Sequence, residues 1–275
     1  MKLFGKIALC FGLLMASPVA SGTALETMKN RGDMLGWEAV GRLDLADGGF
    51  CTAVLIATDQ VLTAAHCLYD PDTRKSRDAR NAVFRAGYLN GDALTERRVE
   101  KYVIAEGYVN EGGKATARSI PRDVALLKLD SPIFSSEADP FLVHSGSEDV
   151  TNVQVMSYGR GRSQAMSWQR RCNKVGHYKT ILEFDCDTTF GSSGAPVFVK
   201  HGGRVRILSL VSGGTNLEDG STRVFGMELQ EVVSDLKRKM RGESAVVNRV
   251  GTGAKRITVG GGNRAGGARF VKVGQ

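Results

Sequence analysis

The stretch of residues 61–67 reads V-L-T-A-A-H-C, in which a short apolar and β-branched run ends in a histidine followed by a cysteine. Two further strings stand downstream: residues 123–129 read D-V-A-L-L-K-L, and residues 190–196 read F-G-S-S-G-A-P. Each string is weak evidence alone, but together they present a histidine, an aspartate and a serine in a defined chain order. A serine hydroxyl is a poor nucleophile near neutral pH, so it needs a base, and the base needs an anion that fixes its tautomer. These three residue types therefore predict a site for nucleophilic catalysis.

Within these strings we expect Ser193 to be the nucleophile, His66 the general base and then acid, and Asp123 the carboxylate that orients the histidine. Histidine suits this role because its ordinary pKa, about 6.5, lies near neutral pH. Ser192 is the alternative nucleophile, one position away. The register of G-x-S-G-x-P within residues 190–196 selects Ser193 instead.

The three strings resemble the T-A-A-H-C, D-[IV]-A-L-L-x-L and G-x-S-G-x-P motifs of chymotrypsin-fold serine endopeptidases, in particular the exported bacterial trypsin-like and glutamyl-endopeptidase-like enzymes. The likeness covers about residues 37–241. It implies hydrolysis of peptide bonds in protein or peptide substrates through an acyl-enzyme, with no cofactor. It also implies that the main-chain N–H groups of Gly191 and Ser193 form an oxyanion hole.

The resemblance also assigns substrate-binding residues. It places Asp187, six positions before the nucleophile, at the base of the primary specificity pocket, where a carboxylate predicts cleavage after Arg or Lys because an unpaired buried charge is costly. An alternative stays open, since C-D-T also occurs in bacterial relatives of other specificity, where the aspartate has a structural role. Residues 210–214 lack the histidine that glutamyl-specific relatives carry, which argues against a preference for glutamate. The predicted substrate-binding set is Asp187, Thr188, Ser212, Gly213, Gly214 and Gly226, and the alternative for its glycines is ordinary turns.

From residue 37 onward, short apolar and β-branched runs alternate with turn residues, which is typical of an antiparallel β protein. Two sets of about six runs indicate two packed barrels or sandwiches, because closing a sheet removes its exposed edges. Together with the resemblance, this predicts an all-β fold of two packed six-stranded antiparallel β-barrels. The predicted strands are 38–45, 51–57, 61–64, 82–87, 97–104, 124–129, 153–158, 174–184, 195–199, 205–211 and 222–227.

A C-terminal amphipathic helix is predicted over residues 228–241 from apolar residues at helical spacing, namely Leu229, Val232, Val233, Leu236 and Met240. We expect the N-terminal barrel to occupy residues 37–140. The C-terminal barrel and this helix would then occupy residues 141–241.

The amino end, residues 1–24, has the order of a secretory signal peptide: two lysines, an apolar run over 7–16, then small residues and a proline. A retained anchor is the alternative, but the apolar run is too short to span a bilayer stably. Cleavage is expected near residues 20–24, which leaves residues 25–36 as a short N-terminal segment or a propeptide. The predicted localisation is therefore secreted or periplasmic.

Four cysteines remain after signal removal: Cys51, Cys67, Cys172 and Cys186. An even number in an exported protein predicts two disulfides, and the simplest of three connectivities joins 51 to 67 and 172 to 186. Zinc is the alternative, but no C-x-x-C spacing or histidine pair accompanies them. The loop of residues 70–80 could hold Ca²⁺ through its aspartates, although its lysine and arginines argue against it. We therefore expect no metal.

The formal net charge of +8 lies at the two ends of the chain. Residues 1–24 and 246–275 contain no acid, whereas residues 25–245 carry 29 basic and 29 acidic residues. This neutral body gives no reason to expect a nucleic-acid partner. Residues 242–275 are predicted to form a basic, Gly-rich flexible tail with weak contact to anionic surfaces, and we expect a monomer. The alternative function is a catalytically silent homologue that binds an anionic surface or partner.

Activation is expected to differ from that of many animal relatives, in which a new amino terminus buries its amine against an aspartate just before the nucleophile. Ser192 stands at that position here. A neutral hydroxyl cannot hold a buried ammonium by charge pairing. Signal removal, with or without trimming of residues 25–36, should therefore suffice.

Overall fold

The computed structural model describes residues 23–146, 150–218 and 220–242. Most of the predicted signal peptide and all of the predicted tail after Gly242 lie outside these residues. Within the described ranges, no helix has both the length and the apolar character needed to span a bilayer.

The described residues form fourteen β-strands and one α-helix, joined by turns and short 3₁₀ helices. The first seven strands are β1 (Glu26–Thr27), β2 (Val40–Asp44), β3 (Phe50–Ala57), β4 (Gln60–Thr63), β5 (Val83–Ala86), β6 (Thr95–Ile104) and β7 (Ala125–Leu129). The second seven are β8 (Asn152–Gly159), β9 (Arg162–Tyr178), β10 (Ile181–Phe184), β11 (Pro196–His201), β12 (Arg204–Leu210), β13 (Gly213–Asn216) and β14 (Thr222–Met227). The helix is α1 (Gln230–Arg241).

The first half of the chain forms a closed antiparallel barrel in the order β2-β3-β4-β7-β6-β5. Its interior is filled by apolar side chains, including Leu43, Leu55, Phe84 and Leu127, all fully buried. Gly41 permits the close approach of β2 to β5, because a Cβ there would lie 2.4 Å from the Phe84 ring. The barrel strands begin and end within about two residues of their predicted bounds.

The second half forms an eight-stranded sheet in the order β12-β11-β8-β9-β10-β14-β13, with β1 paired to β9. The all-β prediction is thus confirmed, with one closed six-stranded barrel and one larger sheet where two six-stranded barrels were expected. The predicted strand over 174–184 is a hairpin of β9 and β10, which turns at Lys179 with a φ of +55°. No glycine, asparagine or proline marks that turn, so turn chemistry could not reveal it.

An N-terminal arm, residues 23–36, joins this second sheet. Strand β1 pairs antiparallel with β9, and Thr23 and Met28 donate their main-chain N–H groups to Arg171 and Met166. Met28 and Met34 are buried in the core that the two halves share. The segment predicted as a short N-terminal extension or propeptide is therefore packed as part of the fold.

The two halves meet over a shared apolar core. At one end Trp37, Phe141, Trp168 and Phe198 pack with ring centroids 4.6 to 5.7 Å apart. Nearer the middle, the buried Tyr158 of β8 donates its hydroxyl to the carbonyl of Tyr88, 2.9 Å away. Strand β3 of the barrel also contacts β8 and β11 of the second sheet.

Helix α1 packs its apolar face on β6 and β7. Val232, Val233, Leu236 and Met240 are buried, as their spacing predicted. Gly242 ends the helix in the left-handed region with a φ of +81°. The predicted C-terminal helix is confirmed.

Candidate active site

Two hydrogen bonds join the predicted catalytic residues His66 and Asp123. His66 lies in a 3₁₀ turn, Ala65–Leu68, directly after β4, and Asp123 lies just before β7. Because β4 and β7 are paired, with Thr63 opposite Ala125, the two residues meet at the same edge of the barrel. His66 Nδ1 lies 2.7 Å from Asp123 Oδ2, and the His66 main-chain N–H donates to Asp123 Oδ1 across 2.8 Å.

A third donor reaches the same carboxylate from the second half of the molecule. Ser212, which follows β12, donates its hydroxyl to Asp123 Oδ2 across 2.5 Å. Asp123 is 2 % exposed, and its carboxylate would be costly to bury without such donors. The charge of Asp123 is thereby held in place beside His66.

The pKa of His66 is raised above its ordinary value. Burial of the ring lowers the pKa, but the negative charge of Asp123 and the hydrogen bond to it raise the pKa by more. The imidazolium is therefore stabilised at the position where a proton would be accepted. With Nδ1 bonded to Asp123, Nε2 is the ring nitrogen left for a substrate or a nucleophile.

The main chain around Ser193 is clamped from both halves of the molecule. Its carbonyl accepts from the Thr52 N–H of β3 across 2.9 Å, and the N–H of Gly194 donates to Val211 across 2.8 Å. A Cβ on Gly194 would lie 2.5 Å from the Thr52 carbonyl and 2.7 Å from the main-chain nitrogen of Ala64. The turn that carries Ser193 thus lies against the residues that lead into His66.

In this turn the main-chain N–H groups of Gly191 and Ser193, like that of Phe190, have no acceptor within the described part of the chain. The carbonyls of the same peptide groups are both engaged: that of Phe190 accepts from Arg160 across 2.7 Å, and that of Ser192 accepts from Ala195 across 2.9 Å. Because the C=O and N–H of a trans peptide point in opposite directions, these bonds fix the direction of the two N–H groups. The part of the two N–H groups in an oxyanion hole stays a prediction.

The family model for trypsin matches residues 31–233, which is more than half of the chain. The chain belongs to the trypsin family. This family membership makes the protein a serine endopeptidase that acts on protein or peptide substrates.

The fold of this trypsin-family chain is similar to a solved structure of a Glu endopeptidase in complex with MPD, with a TM-score of 0.63 and 16% sequence identity. The match covers 81% of this chain and 97% of that chain. At this identity the likeness speaks to the fold alone, and it confirms the predicted chymotrypsin-like architecture.

The predicted specificity residue of this trypsin-family enzyme, Asp187, is exposed and has Thr188 beside it. Its main-chain N–H donates to Oε1 of Gln169 across 2.7 Å, and Nε2 of the same side chain donates to the Thr23 carbonyl across 2.9 Å. Gln169, which is 2 % exposed, therefore links the N-terminal arm to the residue predicted to sit in the pocket. The Asp187 side chain also lies in the electrostatic field of Arg162.

The three predicted pocket glycines lie in β13 and β14 and make close contacts. A Cβ on Gly213 would lie 2.7 Å from Cβ of Ala115, and a Cβ on Gly214 would lie 2.8 Å from the Arg223 carbonyl. A Cβ on Gly226 would lie 2.4 Å from the Leu210 carbonyl. Each glycine is thus needed for chain packing, and their part in the substrate pocket stays a prediction.

Both disulfides join the cysteines that are nearest in sequence, Cys51 to Cys67 and Cys172 to Cys186. The first ties β3 to the residue after His66, and so supports the strand that clamps Ser193. Among the described residues, Asp185 with Cys172 and Cys186 is the one group with the spacing of metal ligands. Since the disulfide uses both sulfurs, no thiolate is left there to bind zinc.

Sequence reasoning missed several residues of the site. Thr52 donates its hydroxyl to the Gly191 carbonyl across 2.9 Å, and the pKa of the Tyr108 phenol is raised by burial and by the charge of Asp123. Arg162 and Gln169 approach the site from β9. These side chains act across strands and carry no motif, whereas the three strings around His66, Asp123 and Ser193 were found through their residue types and their resemblance to family motifs.

Proposed function

We propose that this enzyme hydrolyses peptide bonds through a triad of Ser193, His66 and Asp123. Ser193 Oγ forms a bond to the substrate carbonyl carbon while its proton passes to His66 Nε2, and His66 then gives that proton to the leaving amine. Water, deprotonated by His66, breaks the resulting ester and restores Ser193. The observation that carries this proposal is the hydrogen-bonded pairing of the half-buried His66 with the buried Asp123, directly beside the clamped turn of Ser193.

The negative charge on the substrate oxygen would be held by the N–H groups of Gly191 and Ser193. Support comes from the engaged carbonyls of these peptide groups and from the absence of an acceptor for the two N–H groups in the described chain. Loss of one such donor in related chemistry costs about 3 kcal/mol of transition-state stabilisation. Asp123 would orient His66 and stabilise its charged form without taking its proton.

Labelling with a fluorophosphonate tests the triad directly. Wild-type protein should be labelled once, at Ser193, and should lose all peptidase activity in proportion to the label. Ser193→Ala should not react, whereas the exposed control Ser131→Ala should react like wild type. A folded, disulfide-bonded wild type that never reacts would support the alternative of a catalytically silent binding module.

We further propose cleavage after Arg or Lys, with the Asp187 carboxylate as the attractive charge. Its exposure leaves it accessible to a substrate cation, and its distance from the nucleophile in sequence matches the family pattern. Four matched peptides would carry Arg, Lys, Ala or Glu before the scissile bond. Those with Arg or Lys should be cleaved fastest. Asp187→Asn should reduce this preference, while Asp72→Asn in the exposed loop of residues 70–80 should not. Equal or better cleavage after Glu in wild type would refute the basic preference.

Export, location and assembly are proposed from the sequence together with the two disulfides. The signal peptide should direct the chain to the periplasm or the medium, and the mature enzyme should be a monomer. The tail should add weak, salt-sensitive attraction to anionic surfaces. Fractionation and mass spectrometry of the mature amino terminus test the first point. Retention of full-length and tail-truncated protein on anionic vesicles at low salt tests the tail.

A further inference from the structure

Ser192 lies between the two free amides and has a fully buried side chain. Its Oγ donates to the Tyr158 carbonyl at 3.2 Å and accepts the N–H of Thr189 at 3.3 Å. The N–H of Ser192 in turn donates to the Thr189 carbonyl across 2.9 Å. The side chain of Ser192 therefore fixes the turn of residues 189–193 to strand β8.

The same hydroxyl accepts a hydrogen bond from a cation. Arg162, the first residue of β9, donates Nη2 to Ser192 Oγ at 3.0 Å and to Ser157 Oγ at 2.9 Å, and it donates Nη1 to the Ser157 carbonyl at 2.5 Å. A Cβ on Gly159 would lie 2.9 Å from Cζ of Arg162, so the guanidinium occupies space that a glycine leaves open. These three hydrogen bonds, donated by the planar guanidinium group, hold Arg162 against the turn of residues 189–193.

Arg162 keeps its charge near neutral pH. Burial lowers its pKa to about 10, and the Asp187 carboxylate opposes this by favouring the charged form. A partly buried guanidinium thus lies against the residue just before the nucleophile.

We propose that Arg162 is a positioning residue that holds residues 189–193 in the shape that presents the Gly191 and Ser193 N–H groups. The Arg162–Ser192 contact is made between two residues of the folded chain, so that the oxyanion site forms as soon as the chain folds. This inference rests on the proposed triad mechanism. It adds to that mechanism a residue that touches neither the substrate nor the reacting atoms.

The test compares Arg162→Gln and Arg162→Lys with Arg170→Gln, which removes an exposed arginine from the same strand. Rates are measured per active site, counted by burst titration. We expect Arg162→Gln to lower kcat at least about tenfold with KM within about twofold, because direct loss of one oxyanion donor costs about 10²–10³. Arg162→Lys should recover part of kcat, since a lysine keeps the charge but cannot form the fork. Arg170→Gln should match wild type.

A residue that served only stability would lower the melting temperature and the yield, but would leave kcat per titrated site unchanged. That result would overturn the proposal. If Arg162→Gln does not fold, Ser192→Ala removes the acceptor and leaves Arg162 in place, and it should lower kcat in the same direction. Where both fold, the double variant should lose no more than Arg162→Gln alone, because the two residues act through one contact.

Failure of the inference and failure of the proposed function have different outcomes. If wild type neither reacts with a fluorophosphonate nor cleaves peptides, the triad mechanism itself is refuted. If wild type reacts and cleaves but Arg162→Gln has the same kcat as wild type, only the proposed role of Arg162 is refuted.

Discussion

Ser212 donates its hydroxyl to the Asp123 carboxylate across 2.5 Å, although the two residues are 89 positions apart in the chain. The bond joins the end of β12 in the second sheet to the barrel edge that carries His66. The next residue toward the amino end, Val211, accepts from Gly194 beside the nucleophile. Two adjacent residues thus set the relative position of the carboxylate and the serine, which come from different halves of the molecule.

Ser212→Ala should lower both stability and rate. The change removes one of three hydrogen bonds to a buried carboxylate, and bonds to charged groups contribute about 1.5–3 kcal/mol each. We expect a loss of about 1–3 kcal/mol in the free energy of unfolding and about a tenfold fall in kcat, equivalent to about 1.4 kcal/mol. Urea unfolding and peptide hydrolysis measure the two effects. The exposed control Ser131→Ala should change neither, and an unchanged kcat in Ser212→Ala would show that His66 and its own two bonds suffice to hold Asp123.

The pH dependence of the enzyme should follow the raised pKa of His66. The specificity constant kcat/KM should rise with pH because the neutral imidazole is the base. The midpoint of this transition should lie above the ordinary histidine pKa of about 6.5. The folded-state pKa is raised, so the stabilisation from protonated His66 is complete below the unfolded-state pKa. It is lost as pH rises through the folded-state pKa.

Asp123→Asn should shift this transition to below the ordinary value. Without the charge of Asp123, burial dominates and lowers the pKa of His66. We also expect kcat to fall by about 10⁴, since an amide favours the wrong tautomer. Pre-steady-state acylation over pH 4 to about 9 measures both effects across the ordinary range for histidine. A variant whose transition stays at the wild-type pH would show that Asp123 does not set the pKa.

The sequence predicted the parts of this site whose chemistry imposes a local pattern. His66, Asp123 and Ser193 each sit in a string whose neighbours must form a strand end or a tight turn, so spacing and residue type reveal them. Arg162 and Ser192 are 30 positions apart, and Thr52 and Gly191 are 139 apart. Such contacts depend on how β3, β8 and β9 are placed, which periodicity does not encode.

The fold class was predicted correctly, but two strands of the second sheet, the first part of β9 and β1, were not predicted, for a similar reason. Barrel strands such as β3 (Phe50–Ala57) and β7 (Ala125–Leu129) are mostly apolar runs, whereas the first part of β9 carries polar and charged side chains among its buried residues. The N-terminal arm gains its strand only by pairing with β9, and two residues at Glu26–Thr27 hold no periodic signal. Tertiary pairing, rather than local preference, creates these elements.

The N-terminal arm should stabilise the mature enzyme. Met34→Ala removes a fully buried side chain of the shared core, and such changes cost about 2–5 kcal/mol. Leu35→Ala is a matched control, because Leu35 is the next residue in the chain and its side chain is 73 % exposed. Thermal and urea unfolding should separate the two variants, with similar kcat per titrated site in both. Equal stability of the two variants, or full stability after removal of residues 23–36, would mean that the arm is dispensable.

Gly191→Ala should abolish most acylation without unfolding the protein. Gly191 has a φ of +95°, and an added Cβ would lie 2.4 Å from the Phe50 ring, so the turn must shift. A shift moves the Gly191 N–H, and loss of one such donor lowers kcat by about 10²–10³. Gly203→Ala is the matched control, since Gly203 has a φ of +77° with no atom within 4 Å of the added Cβ. It should carry the same backbone strain and keep its activity. If both variants lose activity equally, backbone strain explains the loss; if Gly191→Ala alone stays fully active, its N–H is not a donor to the substrate oxygen.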